Sequence, residues 1–252
     1  MVKHVTIGDK DFGAFTNQSM SHLVSFPELF KKSVEEVKTL PPTFLKTPDD
    51  FEPINKLEED VLALITYSDD NDDRTVELRN LKTDESVYKW HIENPFKSHN
   101  RIMTPVLLPN KSLCYSFNGA SGIYVIDSLG NQVWYQDSIA HHHAMELDAD
   151  GNIWACTYIV ENGDFIIYKG RFYIDDRELV YIDNAITQLD SKTGDILFHK
   201  SISEILIENN LRYLLLRSNN AEDPIHLNDA QPALKTTAYY EKCDLFLSSR
   251  NI

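Results

Sequence analysis

The sequence predicts an all-β protein, and three observations support this. From about residue 57 onward, short stretches alternate apolar and polar residues, which is the period of a half-buried strand. Aromatic residues favour strands, and the 252-residue chain contains 12 Phe, 12 Tyr and 3 Trp. A hairpin pattern also recurs along the chain, with tight polar turns between apolar stretches.

The first hairpin type occurs three times, at 76–90, 123–135 and 186–198. Each copy has alternating apolar residues, an Asp or Asn, a turn, and a second apolar stretch. Gly130 and Gly194 stand in the turns of the last two copies, where they can supply a positive φ. The interval before the third copy is the longer one, which indicates an insertion.

A second hairpin type alternates with the first, at 101–117, 141–158 and, in a longer form, 225–250. Two hairpins make four antiparallel strands, which is the blade of a β-propeller. A β-sandwich also contains many short strands. The regular alternation of two hairpin types favours the propeller.

The blade count predicts an incomplete propeller. We count about three blades and one further hairpin, whereas closed propellers have roughly four to eight blades. The sequence therefore predicts a partial propeller domain over 56–252, in a fragment of a longer protein. Open blade edges in such a fragment predict self-association.

The remaining segments predict helices and extended chain. Residues 1–55 form a separate N-terminal region, with a helix at about 26–39 followed by a proline-rich extended strap. An insertion is predicted at about 160–180. A helical segment follows at 201–216, because Ser201 begins a capping-box pattern.

Composition limits the classes of function. The formal net charge is −15, which argues against nucleic-acid binding because that requires clustered Lys and Arg. The three cysteines form no C-x-x-C pair, and no apolar run approaches the roughly 20 residues of a membrane span. The first residues show no export signal, and the cellular location is not fixed by the sequence.

Two histidine segments are the candidate sites. His141, His142 and His143 begin a predicted first strand, and alternation places His142 on the opposite face from the other two unless a bulge intervenes. Such a cluster suits metal binding, anion binding or acid–base chemistry, or it is a solvated loop without a role. His226 begins another first strand and shares a face with Asn228, which would orient His226 or hold an anionic group.

Together these segments resemble a known family. The pattern HHxxxLxxDGNIW, at His142–Trp154, resembles the HHD-containing motif of the bacterial arylsulfotransferases. DPIHLNDAQP, at Asp223–Pro232, resembles their D-W-x-H-x-N-S motif, and DLFLSSRN, at 244–251, resembles the strand that follows it. The resemblance covers about residues 75–252 and preserves the order of the motifs.

The resemblance implies a six-bladed propeller that moves a sulfuryl group from an aryl sulfate to a phenol, without a cofactor or a metal. His226 matches the histidine that becomes sulfated, and His142 and His143 match the pair that assists it. Arg171 and Arg250 are candidates for the arginine that binds the sulfuryl oxygens. Members of the family work outside the cytoplasm, in periplasmic or membrane-anchored forms.

The chain departs from the family pattern at several positions. Ala144 stands where the motif has Asp, Pro224 replaces its Trp, and Asp229 replaces its Ser. The segment 101–117 has no histidine at its strand start, and His99 lies a few residues too early.

These departures leave two other functions open. One is a non-catalytic propeller that binds a small anion or a protein partner. The other is a metal-binding propeller that uses His142, His143 and His226. If blades are missing, the site lacks part of its surroundings, and the chain alone is predicted to be inactive.

Overall fold

A computed structural model describes most of the chain after residue 46. The described residues are 47–52, 54–68, 73–95, 101–118, 122–161, 166–167, 169–174, 177–218 and 220–252, with the backbone alone over 161–179. The helix predicted at 26–39 lies outside the described residues. Contacts divide the chain into two units, Met1–Asn55 and Lys56–Ile252, and every element given below belongs to the second unit.

The described residues are mainly antiparallel strands. The strands are β1 Leu62–Ser68, β2 Arg74–Asn80, β3 Glu85–Ile92, β4 Ile102–Leu107, β5 Leu113–Phe117, β6 Ile123–Ile126, β7 Gln132–Gln136, β8 Ala140–Leu147, β9 Ile153–Tyr158, β10 Val160–Glu161, β11 Ile166–Ile167, β12 Lys169–Ile174, β13 Arg177–Ile182, β14 Asn184–Leu189, β15 Ile196–Ser201, β16 Leu227–Pro232 and β17 Leu245–Ser249. The helices are α1 Ile202–Glu208 and α2 Tyr213–Arg217. The all-β prediction is confirmed.

The sheets contain the hairpins that the sequence predicts. Strands β4-β5-β6-β7 form one four-stranded sheet, and β15-β14-β9-β8 form another. Each of these sheets combines one hairpin of each type. A three-stranded sheet β1-β2-β3 precedes them, and the pair β16-β17 follows. The pairs β10-β11 and β12-β13 lie in the insertion between β9 and β14.

Two tryptophans make the same contact between successive sheets. The Trp90 indole N–H, from β3, donates to the Asp127 carbonyl oxygen in the β6–β7 turn, at 3.2 Å. The Trp134 indole N–H, from β7, donates to the Ser191 carbonyl oxygen in the β14–β15 turn, at 3.1 Å. Both rings are buried. The first two of these sheets are therefore each fastened to the sheet that follows, through the turn of the following sheet's first-type hairpin.

Apolar side chains fill the space between the sheets in chain order. One buried cluster joins β2 and β3 to β4 and β5, and includes Val76, Trp90 and Phe117. A second joins the two four-stranded sheets, and a third joins β9 and β14 to α1 and β16. Burial of these faces supplies the main stabilising free energy of the stack.

The helical segment differs in part from its prediction. Ser201 caps α1 as predicted, since its side chain accepts a hydrogen bond from the Glu204 backbone N–H at 3.1 Å. The single helix predicted over 201–216 is nevertheless divided after Glu208. Asn210 adopts a φ of +61°, a left-handed conformation that Asn tolerates better than most residues and that ends a helix. Among the described residues, no helix is long and apolar enough to cross a membrane.

The packing of Trp134 against Gly194 gives a test of the sheet stack. A Cβ added at Gly194, where φ is +78°, would lie 2.7 Å from Trp134 Cε3. Gly130, with φ +87°, has no atom within 4 Å of the same position. We expect Gly130→Ala to lower the free energy of unfolding by about 1 kcal/mol through backbone strain alone. Gly194→Ala should lower the free energy of unfolding by about 1–3 kcal/mol more than Gly130→Ala, because of overpacking against Trp134.

Urea denaturation of the two alanine variants beside the unchanged protein measures this difference. Equal losses for both variants would show that the Trp134 ring moves aside freely, and that the contact does not hold the sheets together.

Candidate functional site

The same irregularity occurs at the start of three neighbouring strands. Strands β4, β8 and β16 each begin with a break in the ladder to their hairpin partner, and β8 contacts both of the others. Thr104 and His143 lie within these breaks and have positive φ values of 28° and 62°, and His226, immediately before β16, has a φ of 49°. A non-glycine residue in that region costs about 1–3 kcal/mol and recurs at functional sites. The strained positions lie at one end of three adjacent first strands.

The bulge in β8 changes the side-chain pattern that simple alternation predicts. His142 Nδ1 lies 2.8 Å from His143 Nδ1, so two adjacent residues form a hydrogen bond instead of facing opposite ways. His141 is buried, and its Nε2 donates to the Ala144 carbonyl oxygen at 3.3 Å. The structure therefore brings together His142 and His143, while His141 belongs to the interior of the sheet.

The hydrogen bonds of His142 define its protonation. Its Nε2 lies 3.0 Å from the Thr157 carbonyl oxygen, which only accepts, so Nε2 carries a hydrogen. The ring is buried and stacks on Tyr158 with centroids 4.0 Å apart. Burial, with a smaller effect of His141, lowers the pKa of His142 to about 3. His142 is thus neutral at pH 7, and its Nδ1 is an acceptor.

The same reasoning gives the tautomer of His143. Because His142 Nδ1 accepts, His143 Nδ1 must donate, and the neutral ring then has its lone pair on Nε2. Partial burial lowers the pKa of His143, and it is lowered further by the protonated form of His226 and by the positive charge of Arg250. The Thr104 hydroxyl donates to the His143 carbonyl oxygen. His143 therefore offers an unprotonated Nε2 at neutral pH.

His226 is held by a carboxylate. Its Nδ1 lies 2.6 Å from Asp223 Oδ2, and its backbone N–H donates to Asp223 Oδ1 at 3.0 Å. A carboxylate accepts, so Nδ1 carries a hydrogen, and in the neutral form of the ring the lone pair is on Nε2. The His226 side chain is 22% exposed, whereas that of Asp223 is 13% exposed. The His226 ring is therefore partly open to solvent.

The two histidine segments meet, as expected from their places at the start of the same hairpin type in successive predicted blades. The rings of His143 and His226 have centroids 5.3 Å apart and an interplanar angle of 71°. Each segment would be an isolated polar turn on its own. Together they place two imidazole rings side by side at one end of β8 and β16.

The other predicted site residues have different surroundings. Arg250 is exposed, its backbone N–H donates to the His226 carbonyl oxygen at 3.0 Å, and its charge acts on His143. Asn228 sits at the bulge of β16, which breaks the alternation that places it on the same face as His226. Its Oδ1 is buried without a hydrogen-bond partner among the described residues. Arg171 lies in β12, and its side chain is outside the described residues.

Sequence reasoning missed three residues of the site. Thr104 occupies, in β4, the position that His143 occupies in β8, which is the strand start without a histidine. Arg101, just before β4, contributes positive charge at His143. Asp223 precedes His226 by three residues, and this Asp-x-x-His spacing is a signal for a side-chain-capped turn. Among the described residues, no group of three or more His, Cys, Asp or Glu is arranged to hold a metal ion.

Comparison with known proteins gives one match. A family model described as arylsulfotransferase (ASST) matches residues 104–252, which is more than half of the chain. The match begins within β4 and includes all three histidine positions of the site. No curated protein matches the sequence significantly.

The buried histidines predict a loss of stability in mild acid. Burial lowers the pKa of His141 to about 4 and that of His142 to about 3, against an ordinary value of 6.5. Below pH 6.5 the unfolded chain binds protons that the folded protein does not. The free energy of unfolding should therefore fall by up to about 1.4 kcal/mol per pH unit for each histidine, down to the folded pKa.

Urea denaturation at pH values from 7.5 to 5 measures this fall before most carboxylates titrate. His142→Gln, which keeps a donor for the Thr157 carbonyl oxygen, should have a shallower pH dependence. His91→Gln, at an exposed position on β3, should behave like the unchanged protein. A flat profile between pH 6.5 and 5 would contradict the neutral, buried state of the two rings.

Proposed function

The chain belongs to the arylsulfotransferase family, and we propose that it transfers a sulfuryl group from an aryl sulfate to a phenol through a sulfated His226. One observation carries this proposal. The His226 Nδ1 is hydrogen bonded to Asp223 at 2.6 Å, so the neutral form of this partly exposed ring has its lone pair on Nε2. A neutral imidazole nitrogen in that state is a good nucleophile near pH 7.

The proposed reaction has two half-reactions. In the first, the His226 Nε2 lone pair forms a bond to sulfur, and the bond from sulfur to the aryl oxygen breaks, so that a phenolate leaves with the electron pair. In the second, the oxygen of an acceptor phenol attacks the sulfur, and the S–N bond returns its electron pair to Nε2. The course is ping-pong, with a covalent intermediate.

We assign different tasks to the two other histidines. The free Nε2 of His143 would accept the proton of the acceptor phenol as its oxygen attacks. Both ring nitrogens of His142 are already bonded within the protein, to Thr157 and to His143. His142 would therefore act as a positioning residue that fixes the orientation and tautomer of His143.

Positive charge is the other requirement of sulfuryl transfer. Charge on the three oxygens of the sulfuryl group needs donors, as in phosphoryl transfer. The chain as a whole carries a net charge of −15, so a local positive site is needed to attract an anionic donor. Arg250 and Arg101, whose charges both act on His143, would supply it.

We also propose that the sheets are blades of a propeller and that residues 56–252 form that domain. The repeated tryptophan contacts and the stacking of sheets in chain order support this arrangement. Strands β4, β8 and β16 would then line a central channel, with the strained residues at its mouth. In propellers the first strand of each blade lies at the axis.

A second function is favoured by one observation. Thr104 stands at the strained position of β4, where His143 and His226 stand in the neighbouring strands. A site with histidines at two of these three positions, and threonine at the third, suits a propeller that binds a small anion without transferring it. A direct test for covalent sulfation separates the two functions.

The covalent intermediate is the first prediction of the proposed function. After brief exposure to p-nitrophenyl sulfate at mildly alkaline pH, we expect the protein to gain about 80 Da, the mass of one SO₃ group. His226→Ala should gain nothing, because it lacks the nucleophile. His91→Ala is the matched control and should be sulfated like the unchanged protein. Intact-protein mass spectrometry measures all three.

Lack of any mass gain in a folded protein that carries its full set of blades would contradict the sulfohistidine and favour the anion-binding propeller. Lack of gain in the 252-residue chain alone is the result that missing blades predict. Equal sulfation of His226→Ala would place the nucleophile elsewhere.

The arginine beside the histidines gives a second prediction. Arg250→Gln should lower kcat/KM for p-nitrophenyl sulfate by about 10-fold or more, because it removes a charged donor for the sulfuryl oxygens. Arg212→Gln, beside α2, is the matched control and should change little. Steady-state release of p-nitrophenol with a phenolic acceptor measures both variants. An unchanged kcat/KM for Arg250→Gln would show that this residue does not bind the sulfuryl oxygens.

A further inference from the structure

Both carboxylate oxygens of Asp223 accept hydrogen bonds from His226, which is more than a simple ion pair requires. Asp223 Oδ2 accepts from His226 Nδ1 at 2.6 Å, while Oδ1 accepts from the His226 backbone N–H at 3.0 Å. One oxygen thus holds the ring, and the other holds the backbone in its strained conformation of φ +49°. Both contacts act on the same residue, so the direction of the ring is fixed from two sides.

Asp223 is itself held in place from two other parts of the chain. The Asn184 side chain, fully buried at the start of β14, donates to Asp223 Oδ1 at 3.1 Å and accepts from the Leu227 backbone N–H at 3.0 Å. The Asn251 side chain donates to the Asp223 carbonyl oxygen at 2.7 Å. The carboxylate is therefore pre-organised before any reactant arrives.

We infer that Asp223 is the positioning residue of His226: it fixes the tautomer with a free Nε2 lone pair and offsets the positive charge of the sulfated ring. This inference rests on the proposed function of His226. After attack, the ring carries SO₃ on Nε2 and keeps its hydrogen on Nδ1, so the imidazole bears a positive charge. Asp223 lies against that hydrogen and stabilises the charged intermediate.

The substitution Asp223→Asn tests the inference sharply, because the network dictates which way the new amide faces. The Oδ1 position receives two donors, the His226 backbone N–H and the Asn184 side chain, so the amide oxygen must stay there. The amide nitrogen then occupies the Oδ2 position and donates towards His226 Nδ1. The neutral His226 ring must then carry its hydrogen on Nε2 and its lone pair on Nδ1. Nε2 therefore has no lone pair with which to attack sulfur.

The expected effect on the first half-reaction is large. In a Ser-His-Asp triad, the same Asp-to-Asn change leaves the geometry intact, imposes the wrong tautomer and lowers kcat about 10⁴-fold. We expect the rate of His226 sulfation to fall about 10³-fold or more in Asp223→Asn. Asp127→Asn is the matched control, because Asp127 also accepts backbone N–H bonds in a turn, at β6–β7. Its sulfation rate should change by less than about threefold.

The experiment combines two measurements on the full chain. Time-resolved mass spectrometry with p-nitrophenyl sulfate gives the sulfation rate, and ¹⁵N NMR of histidine-labelled protein gives the tautomer of His226, assigned with His226→Ala. The unchanged protein and Asp127→Asn should carry the hydrogen on Nδ1, and Asp223→Asn should carry it on Nε2. The tautomer is measured without any reactant, so it does not depend on the proposed activity.

Two outcomes overturn the inference. One is a hydrogen on Nε2 of His226 in the unchanged protein. The other is Asp223→Asn with the Nδ1–H tautomer and a sulfation rate close to that of Asp127→Asn. If the unchanged protein is never sulfated, the proposed function fails separately, and the tautomer measurement alone decides the role of Asp223.

Discussion

A strained backbone at the start of three neighbouring strands is the constraint on which the site depends. In a regular strand, adjacent residues face opposite sides of the sheet. The bulge in β8 breaks that rule, and His143 and His226, both at positive φ, have ring centroids 5.3 Å apart. Without this irregularity, His142 and His143 would be separated by the sheet. The positive φ of His143 costs conformational free energy, and the irregular strand allows the His142–His143 hydrogen bond, which regular strand pairing would prevent.

Hydrogen-bond acceptors then decide what each ring can do. The Thr157 carbonyl oxygen sets the hydrogen of His142, His142 sets that of His143, and Asp223 sets that of His226. Each acceptor belongs to a different part of the fold, namely β9, β8 and the turn before β16. The protonation of the site is therefore a property of the assembled sheets and not of any single segment.

Much of the fold could be predicted from the sequence because its signals are local. The alternation in 76–90, 123–135 and 186–198, with polar turns between, was enough to define the first-type hairpins, and all three are present. Both histidine segments begin the same hairpin type in successive predicted blades, and that was enough to predict that they meet. The bulges could not be predicted, since one extra residue in a strand changes neither composition nor length noticeably. The roles of Thr104 and Asn184 depend on contacts between distant segments, which no local pattern records.

The insertion between β9 and β14 has a consequence for the architecture of the sheet. Its two ends are joined at the base, where Tyr158 pairs with Asn184 and the Ile159 backbone N–H donates to the Asp183 carbonyl oxygen at 3.0 Å. The pairing of β9 with β14 in the four-stranded sheet thus extends up to the two residues between which the insertion lies. Lengthening a closed loop adds only about 0.6 kcal/mol for each doubling of its length. A fused domain or a fluorescent reporter in this insertion would leave the pairing of β9 with β14 unchanged. Its effect on the histidines would pass through β13, where the Ile182 backbone N–H donates to the Glu222 carbonyl oxygen at 2.7 Å, next to Asp223.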